Sequence, residues 1–216
     1  PQMGILRSGD KVDPITGNNW ELGVKRYWWD GRLSTSLALY RILRNNETSA
    51  DPQNTPQESY LIQVGQSVAK GVEVDINGEL LPGLNLLANY AYTSYKVTKS
   101  ENASRPVGMR MPGHAKHEFN VWLRYEFRHG VLRGLNAAIG ETSLLDRSTW
   151  SWGNDAKGYA SLPDYTRVDA SLGWRHDKTS ITLNVNNVLN RYLYSGSYYG
   201  NYYYWQSEMP RNFKLT

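Results

Sequence analysis

The sequence predicts an all-β fold, a transmembrane antiparallel up-and-down β-barrel, and two observations carry that expectation. Apolar and polar side chains alternate with a period of two along a series of segments, and the connections between these segments are alternately short and long. Successive side chains of a strand point to opposite faces, so each segment has one apolar and one polar face. A soluble sandwich of sheets satisfies that condition as well. The alternating connections separate the two readings, because they describe a meander with a simple side and an elaborate side, as in barrels that cross an outer membrane.

The segments justify this one by one. Residues 21–28 carry Leu22 and Val24 on the apolar side, and residues 33–43 carry Leu33, Leu37 and Leu39. Residues 71–80 set Val72, Val74, Ile76 and Leu80 against Glu73, Asp75, Asn77 and Glu79. Residues 85–93 set Leu86, Ala88, Tyr90 and Tyr92 against Asn85, Asn89 and Thr93, with Leu87 as an exception. Residues 118–127 set Phe119, Val121, Leu123, Tyr125 and Phe127 against Glu118, Asn120, Arg124 and Glu126, with Trp122 as an exception. A weaker run covers residues 135–142. Residues 167–176 set Val168, Ala170, Leu172 and Trp174 against Arg167, Asp169, Ser171 and Arg175, and residues 180–186 set Ile181, Leu183 and Val185 against Thr182, Asn184 and Asn186. A last run opens at Arg211 with Phe213 and Leu215, for a total of about nine strands. Asn186-Asn187-Val188 breaks the pattern and predicts a bulge that turns the chain toward the polar face.

Short connections are expected at residues 29–32, 81–83, 128–134 and 177–179, and long ones at about residues 45–59, 100–116, 147–165 and 195–210. With the short turns on the periplasmic side, the first and the ninth strand both descend. Such a set does not close an even-stranded barrel by itself. Pro1 is preceded by no secretion signal and Thr216 falls inside an alternating run, so both ends read as cuts in a longer chain.

Composition narrows the function classes. No stretch approaches the roughly 18 consecutive apolar residues of a membrane helix, a test that barrel strands escape. The 16 Tyr and 8 Trp outnumber 3 Phe, which favours rings with a polar handle at an interface between water and something apolar. Cysteine is absent, which excludes a disulfide framework and suits passage through an oxidising periplasm. The net charge of +4 is spread along the chain rather than gathered in a stripe, so nucleic acid is not an expected partner. No nucleophile motif or phosphate-cradling glycine loop is present, and an enzyme is not expected. His114 and His117 stand three apart where a loop enters a strand and point to opposite faces, so no metal site is expected either.

The stretch Leu162-Pro163-Asp164-Tyr165-Thr166-Arg167-Val168-Asp169, followed by Ile181-Thr182-Leu183-Asn184-Val185-Asn186-Asn187-Val188-Leu189-Asn190 and by Pro210-Arg211-Asn212-Phe213, resembles the C-terminal barrel segment of TonB-dependent siderophore receptors. So do Lys70-Gly71-Val72-Glu73-Val74-Asp75 and Met111-Pro112-Gly113-His114-Ala115-Lys116-His117. The resemblance runs from about Gly17 to the end, and within the family it is greatest to receptors for ferric hydroxamate or pyoverdine-type siderophores. It implies a 22-stranded barrel, of which residues 1–216 form the C-terminal portion. The N-terminal plug and TonB box of the family are not in this sequence.

The resemblance further implies an outer-membrane receptor of a Gram-negative bacterium that binds a ferric siderophore at extracellular aromatic loops and imports it with energy from TonB. No cofactor is implied, since the iron arrives wrapped by its chelator. The implied partners are the ferric siderophore, TonB through the missing N-terminal region, and outer-membrane lipid and lipopolysaccharide, with the receptor a monomer. The same barrel carrying haem, cobalamin or a glycan is an alternative, and a soluble carbohydrate-binding β module is another.

Candidate ligand residues lie in the long connections. Trp150, Trp152 and Tyr159 occupy one, and Tyr199, Tyr202, Tyr203 and Trp205 the last, where flat rings and hydroxyl donors suit a large amphipathic ligand. Some of these rings alternatively belong to the outer aromatic girdle, as Trp28, Trp29, Phe127 and Trp174 are expected to do on the periplasmic side. Arg105 and Arg110 offer guanidinium forks to an anionic ferric chelate, or alternatively to lipopolysaccharide phosphate.

Overall fold

The computed structural model describes residues 4–51, 53–103, 105–150, 159–199 and 202–216. Among them there is no helix and there are twelve strands: β1 (Thr16–Trp28), β2 (Leu33–Ala50), β3 (Leu61–Leu81), β4 (Leu84–Lys99), β5 (Ala115–Glu126), β6 (Leu135–Trp150), β7 (Tyr159–Leu162), β8 (Tyr165–His176), β9 (Thr179–Asn186), β10 (Tyr194–Tyr199), β11 (Tyr202–Ser207) and β12 (Asn212–Leu215). The main sheet is ordered β1-β2-β3-β4-β5-β6-β8-β9-β12, with β7 paired to β6, and β10 and β11 form a separate hairpin. Its nine-strand path is the set that alternation predicts. The sheet is open, with β1 and β12 at its edges.

Register ties the apolar faces together. Leu86, Leu123, Ile139, Ala170, Val185 and Phe213 are successive cross-strand partners, and so are Leu84, Tyr125, Ala137, Leu172, Leu183 and Leu215. The opposite face is matched in the same way, through Lys25, Ser36, Asp75, Asn89, Asn120, Thr142 and Arg167. Along that row Ser36 Oγ donates to Asp75 at 2.8 Å and Thr142 Oγ1 to Asn120 at 2.9 Å. A one-residue slip at any strand would break both sets of rows, so the pattern pins the register. The apolar rows are left uncovered, with Ile139 54% and Leu172 50% exposed. Glu141 brings a charge onto this face, standing between Val121 and Val168 and accepting from Ser143 Oγ at 2.8 Å.

The two exceptions on the polar face are neighbours, Leu87 and Trp122 being register partners. Trp122 lies flat across Gly140, where a Cβ would stand 2.4 Å from its ring. Tyr40 covers Gly71 in the same manner, and its hydroxyl is 2.7 Å from Thr93 Oγ1. In both cases an aromatic ring supplies the packing that glycine lacks.

The short connections hold left-handed residues, Trp29, Asp30 and Gly31 in the first and Asp177 in the last, as tight hairpins require. Aromatic rings gather at this end: Trp28 Nε1 donates to Thr35 Oγ1 at 3.0 Å, the Arg26 guanidinium lies 3.9 Å over the Trp28 ring, and Trp174 stacks on His176. On the other side several strands overshoot the expectation. β2 is 18 residues long and β3 is 21, against the roughly 10 that a tilted strand needs to cross a bilayer. Residues 45–50 are therefore strand rather than loop, and β3 begins at Leu61, ten residues before the alternating run. Segments β7, β10 and β11 likewise replace expected loop, because hairpins above a membrane need not alternate in polarity.

Replacing Leu172 by Arg in the intact barrel is expected to cost about 2–4 kcal/mol, as for cations on a lipid face. Arg at Ser171, on the other face, should stay within about 0.5 kcal/mol. Equilibrium folding into lipid vesicles measures both, and equal costs would remove the assignment of faces.

Candidate functional site

The long-connection side is organised by a buried polar network at the top of β8. Asp169, 7% exposed, accepts from Arg167 Nε at 2.9 Å and from the backbone N–H of Asn187 at 2.8 Å. Asn187 is 1% exposed, with φ at 52°. Its side-chain amide donates to Arg191 O at 2.9 Å while its Oδ1 accepts from Arg191 N at 3.0 Å. Val188 N donates to Val168 O, one residue out of step with the Ala170–Val185 pairing. The expected irregularity at Asn187 is thus present, and it turns the chain out of β9.

The excursion returns through Glu208, which accepts from the Tyr165 hydroxyl at 2.9 Å and lies 3.6 Å from the Arg167 guanidinium. Glu208 N also donates to Leu193 O, closing the base of the β10–β11 hairpin. One acidic residue on the polar face and one at the foot of the hairpin therefore fix both ends of the final long connection. Arg167 and Asp169 were legible as polar-face residues; Asn187 and Glu208 as anchors were not, since their partners are far away in sequence.

Within the hairpin Tyr199 opposes Tyr202, Tyr198 opposes Tyr203 and Gly196 opposes Trp205. Gly196 is pressed against the β6–β7 hairpin, where an added Cβ would lie 2.2 Å from Thr149 Oγ1 and 3.1 Å from Leu162 Cδ1. In β6 and β7, Trp150 opposes Tyr159. The fold thus brings together the two connections that hold the aromatic candidates. Trp205 is 53% exposed, with its ring 6.4 Å from that of Tyr194. Trp152 lies outside the described residues, and Trp150, Tyr159, Tyr199, Tyr202 and Tyr203 are placed by their backbone pairing alone.

The two arginines stand apart from this group and are engaged. Arg105 reaches Glu47 at 3.9 Å and Met111 Sδ at 3.5 Å. Arg110 pairs with Asp146 Oδ1 at 2.6 Å and also donates to the carbonyls of Asp146 and His114. They line different surroundings: Arg110 borders a cleft of about 520 Å³ together with Tyr92, Lys96, His114 and Lys116. His114 is mostly enclosed, and burial, then the charge of Arg110, pushes its imidazole below the usual range. His117 bonds through Nδ1 to the Tyr90 hydroxyl at 2.9 Å. Among the described residues no group of three His, Cys, Asp or Glu side chains could hold a metal ion.

A third element lies on the same side. Arg7 donates from Nε to Asp51 at 2.8 Å and from Nη1 to Glu58 at 3.3 Å, and Leu61 N donates to Ile5 O, tying residues 5–11 to the β2–β3 connection. The Arg7 bond, then the Gln53 N–H, holds Asp51 below the ordinary carboxylate range. Glu58 is held low by the Thr55 N–H and then by Arg7.

A matched, uncovered apolar face, a polar opposite face, tight turns on one side and hairpins on the other define a membrane-crossing barrel wall. The protein belongs to the TonB dependent receptor-like β-barrel family, whose model matches residues 1–188. It is placed with that family in the outer membrane of Gram-negative bacteria. It is 33% identical over 199 residues to the metal-pseudopaline receptor CntO of Pseudomonas aeruginosa, covering 92% of this chain and 27% of that protein. It is 30% identical over 223 residues to the ferric-pyoverdine M114 receptor PbuA of a Pseudomonas species, covering 96% of this chain and 25% of that one. The fold matches the structure of the Pseudomonas aeruginosa receptor FpvA in complex with an iron-loaded heterologous pyoverdine, at TM-score 0.79 and 26% identity, covering 100% of this chain and 28% of that one. These relatives are receptors rather than enzymes. The chain spans about a quarter of the length of the relatives it matches.

Two outcomes follow from the anchors. Asn187→Ala in the full-length receptor should cost about 1–3 kcal/mol through the backbone groups it leaves unpaired, and should expose residues 188–211 to protease while the barrel stays folded; an unchanged cleavage pattern would show that Asn187 does not hold the excursion. Asp51 and Glu58 titrate below their unfolded values, so their contribution is complete above the ordinary carboxylate range and is lost as pH falls through the lowered values. Amides of residues 5–11 should therefore exchange faster, after correction for intrinsic rates, at about pH 3 than at about pH 7, and Arg7→Gln should erase the difference.

Proposed function

We propose that residues 1–216 are the C-terminal portion of the barrel of a TonB-dependent receptor that takes up a ferric siderophore or closely similar metal chelate. The observation that carries this reading is the docking of the β10–β11 hairpin on β6–β7, which gathers Tyr194, Trp205 and the strand positions of Trp150, Tyr159, Tyr199, Tyr202 and Tyr203 on one side of the sheet. A ferric chelate is large, partly flat and rich in oxygen, and aromatic walls with hydroxyl donors meet both needs. Trp152 belongs to the same connection. The engaged Arg105 and Arg110 supply positive potential in this reading rather than free forks.

The relatives' names favour metal chelates over haem, cobalamin or a glycan, since they refer to pseudopaline, pyoverdine and ferrioxamine B. Transport energy would come from TonB, acting through a plug encoded outside these residues. The iron is cargo, so the protein needs no cofactor, and the barrel works as a monomer.

Replacing Tyr203 and Trp205 together by Ala in the full-length receptor should weaken binding of its ferric siderophore about tenfold or more, about 1.4 kcal/mol. The measurement is fluorescence quenching against a panel that includes ferrioxamine B and ferripyoverdines, chosen by growth of a receptor-deletion strain with and without this gene. Unaltered affinity would count against the final hairpin as binding wall.

A further inference from the structure

On the polar face, β8, β9, β12 and the foot of the β10–β11 hairpin enclose another cleft, of about 500 Å³, bordered by Arg167, Asn186, Asn212, Ser195, Gln206 and Glu208 among others. Register places it. Asn186 and Asn212 are cross-strand partners, and so are Ser195 and Gln206, so one polar pair from the barrel wall and one from the hairpin share the same opening. Along the hairpin, Ser195 and Gln206 stand on one face with the strand positions of Tyr199 and Tyr202, each four residues nearer the tip. The cleft thus continues the row of aromatic candidates down to the wall.

The cations here are already engaged. Arg167 donates to Asp169 and lies 3.6 Å from Glu208, and Arg147, over the Tyr165 ring, donates to Pro163 O and is 8% exposed. Asp169 is filled as well, by Arg167 and by the Asn187 N–H. What stays open is neutral or acidic. Among the described residues the side chains of Ser195, Gln206 and Ser207 have no hydrogen-bond partner, and Asn186 engages only Nδ2, toward Asn212. Glu208 meets both Tyr165 and Arg167 with Oε2, which leaves Oε1 to the cleft.

Side-chain amides and hydroxyls offer a donor beside an acceptor, the combination that a chain of amide groups presents in return. The volume suits part of a ligand. A multiply anionic group would enter a place whose lining holds no free cation among the described residues, and its lost hydration would go uncompensated. A positive end would instead meet Glu208 Oε1 in a charge-assisted hydrogen bond. We propose that this cleft seats a neutral or cationic, amide-bearing arm of the metal chelate, and that Glu208 sets the preference against anionic chelates. This selectivity rests on the reading of the protein as a chelate receptor. Glu208 then has two roles, one for each oxygen: Oε2 anchors the hairpin and Oε1 reads the charge of the arm.

The test uses the full-length receptor in detergent micelles and four iron complexes, read by tryptophan fluorescence quenching. Ferrioxamine B is a linear amide trihydroxamate that ends in an ammonium; its N-acetyl and N-succinyl forms end in a neutral amide and in a carboxylate, and the enterobactin complex is a trianionic tricatecholate. The wild type should bind the ammonium and acetyl forms about tenfold more tightly than the succinyl form or the tricatecholate, the scale of one charge-assisted hydrogen bond. Glu208→Gln should bring the ammonium and succinyl forms to nearly equal affinity and leave the acetyl form little changed. Tyr165→Phe removes the same anchoring bond without touching the charge and should keep the wild-type order. If Glu208→Gln folds poorly, Gln206→Glu adds a carboxylate to the same cleft and should widen the difference. Equal binding of the ammonium and succinyl forms by the wild type, tighter binding of the tricatecholate, or an unchanged order in folded Glu208→Gln would overturn the proposal while leaving the chelate-receptor reading in place. Binding of neither the ammonium nor the acetyl form would overturn it too; growth on ferripyoverdines would then keep the chelate-receptor reading, and growth on none of the ferric siderophores would remove it.

Discussion

The structure depends on one constraint: a chain crossing hydrocarbon must pair every backbone N–H and C=O within itself. The ladder from β1 through β6 to β8, β9 and β12 meets it for the interior strands of this sheet. Once the ladder is fixed, the two faces follow without further choice, because each partner pair points the same way. Rows such as Leu84-Tyr125-Ala137-Leu172-Leu183-Leu215 are therefore a product of register as much as of composition. The edges at β1 and β12 are where pairing with the rest of a barrel would continue.

The same constraint explains how the last excursion is held. β12 pairs with β9 across a connection that contains an entire hairpin, so the chain has to leave the ladder and rejoin it at fixed points. The exit uses Asp169 to satisfy the N–H of a left-handed Asn187, and the return uses Glu208 against Tyr165 and Arg167. Both acceptors meet polar-face groups of β8, a strand whose other face belongs to lipid. A strand that looks like simple wall is thus also the seat of the loop apparatus. Changes of charge at Asp169 act on both roles, since leaving a buried partner unpaired costs more than the bond itself contributes.

What the sequence made legible follows from this division. Inside the membrane, alternation is compulsory, and the nine-strand path with its short turns can be read from Leu, Val and Ile at every second position. Above the membrane the compulsion ends, so the upper parts of β2 and β3 and all of β7, β10 and β11 carry no such signature. Leu87 and Trp122 break the alternation for a reason that only the sheet reveals: Gly140 lies beneath the indole, a relation between residues on different strands. The site was legible only as a set of aromatics; that Gly196 presses one connection onto the other, and that Arg105 and Arg110 are met by Glu47 and Asp146, depends on contacts far apart in the chain. Arg7, beside Asp51 and Glu58, gave no signal at all.

The pairing of cations sorts these contacts by face. Arg128 meets Glu79 at 2.7 Å and Arg167 meets Asp169 at 2.9 Å on the polar face, and Arg110 meets Asp146 at 2.6 Å among the long connections. Water on those sides would solvate such groups in any case, so the pairs chiefly fix geometry. Outside, near the short turns, Arg26 lies over the Trp28 ring, which lets a long side chain keep its charge at the interface. Arg41 and Lys70 differ from these in being like charges side by side on the apolar face, with no acidic residue among their register neighbours there.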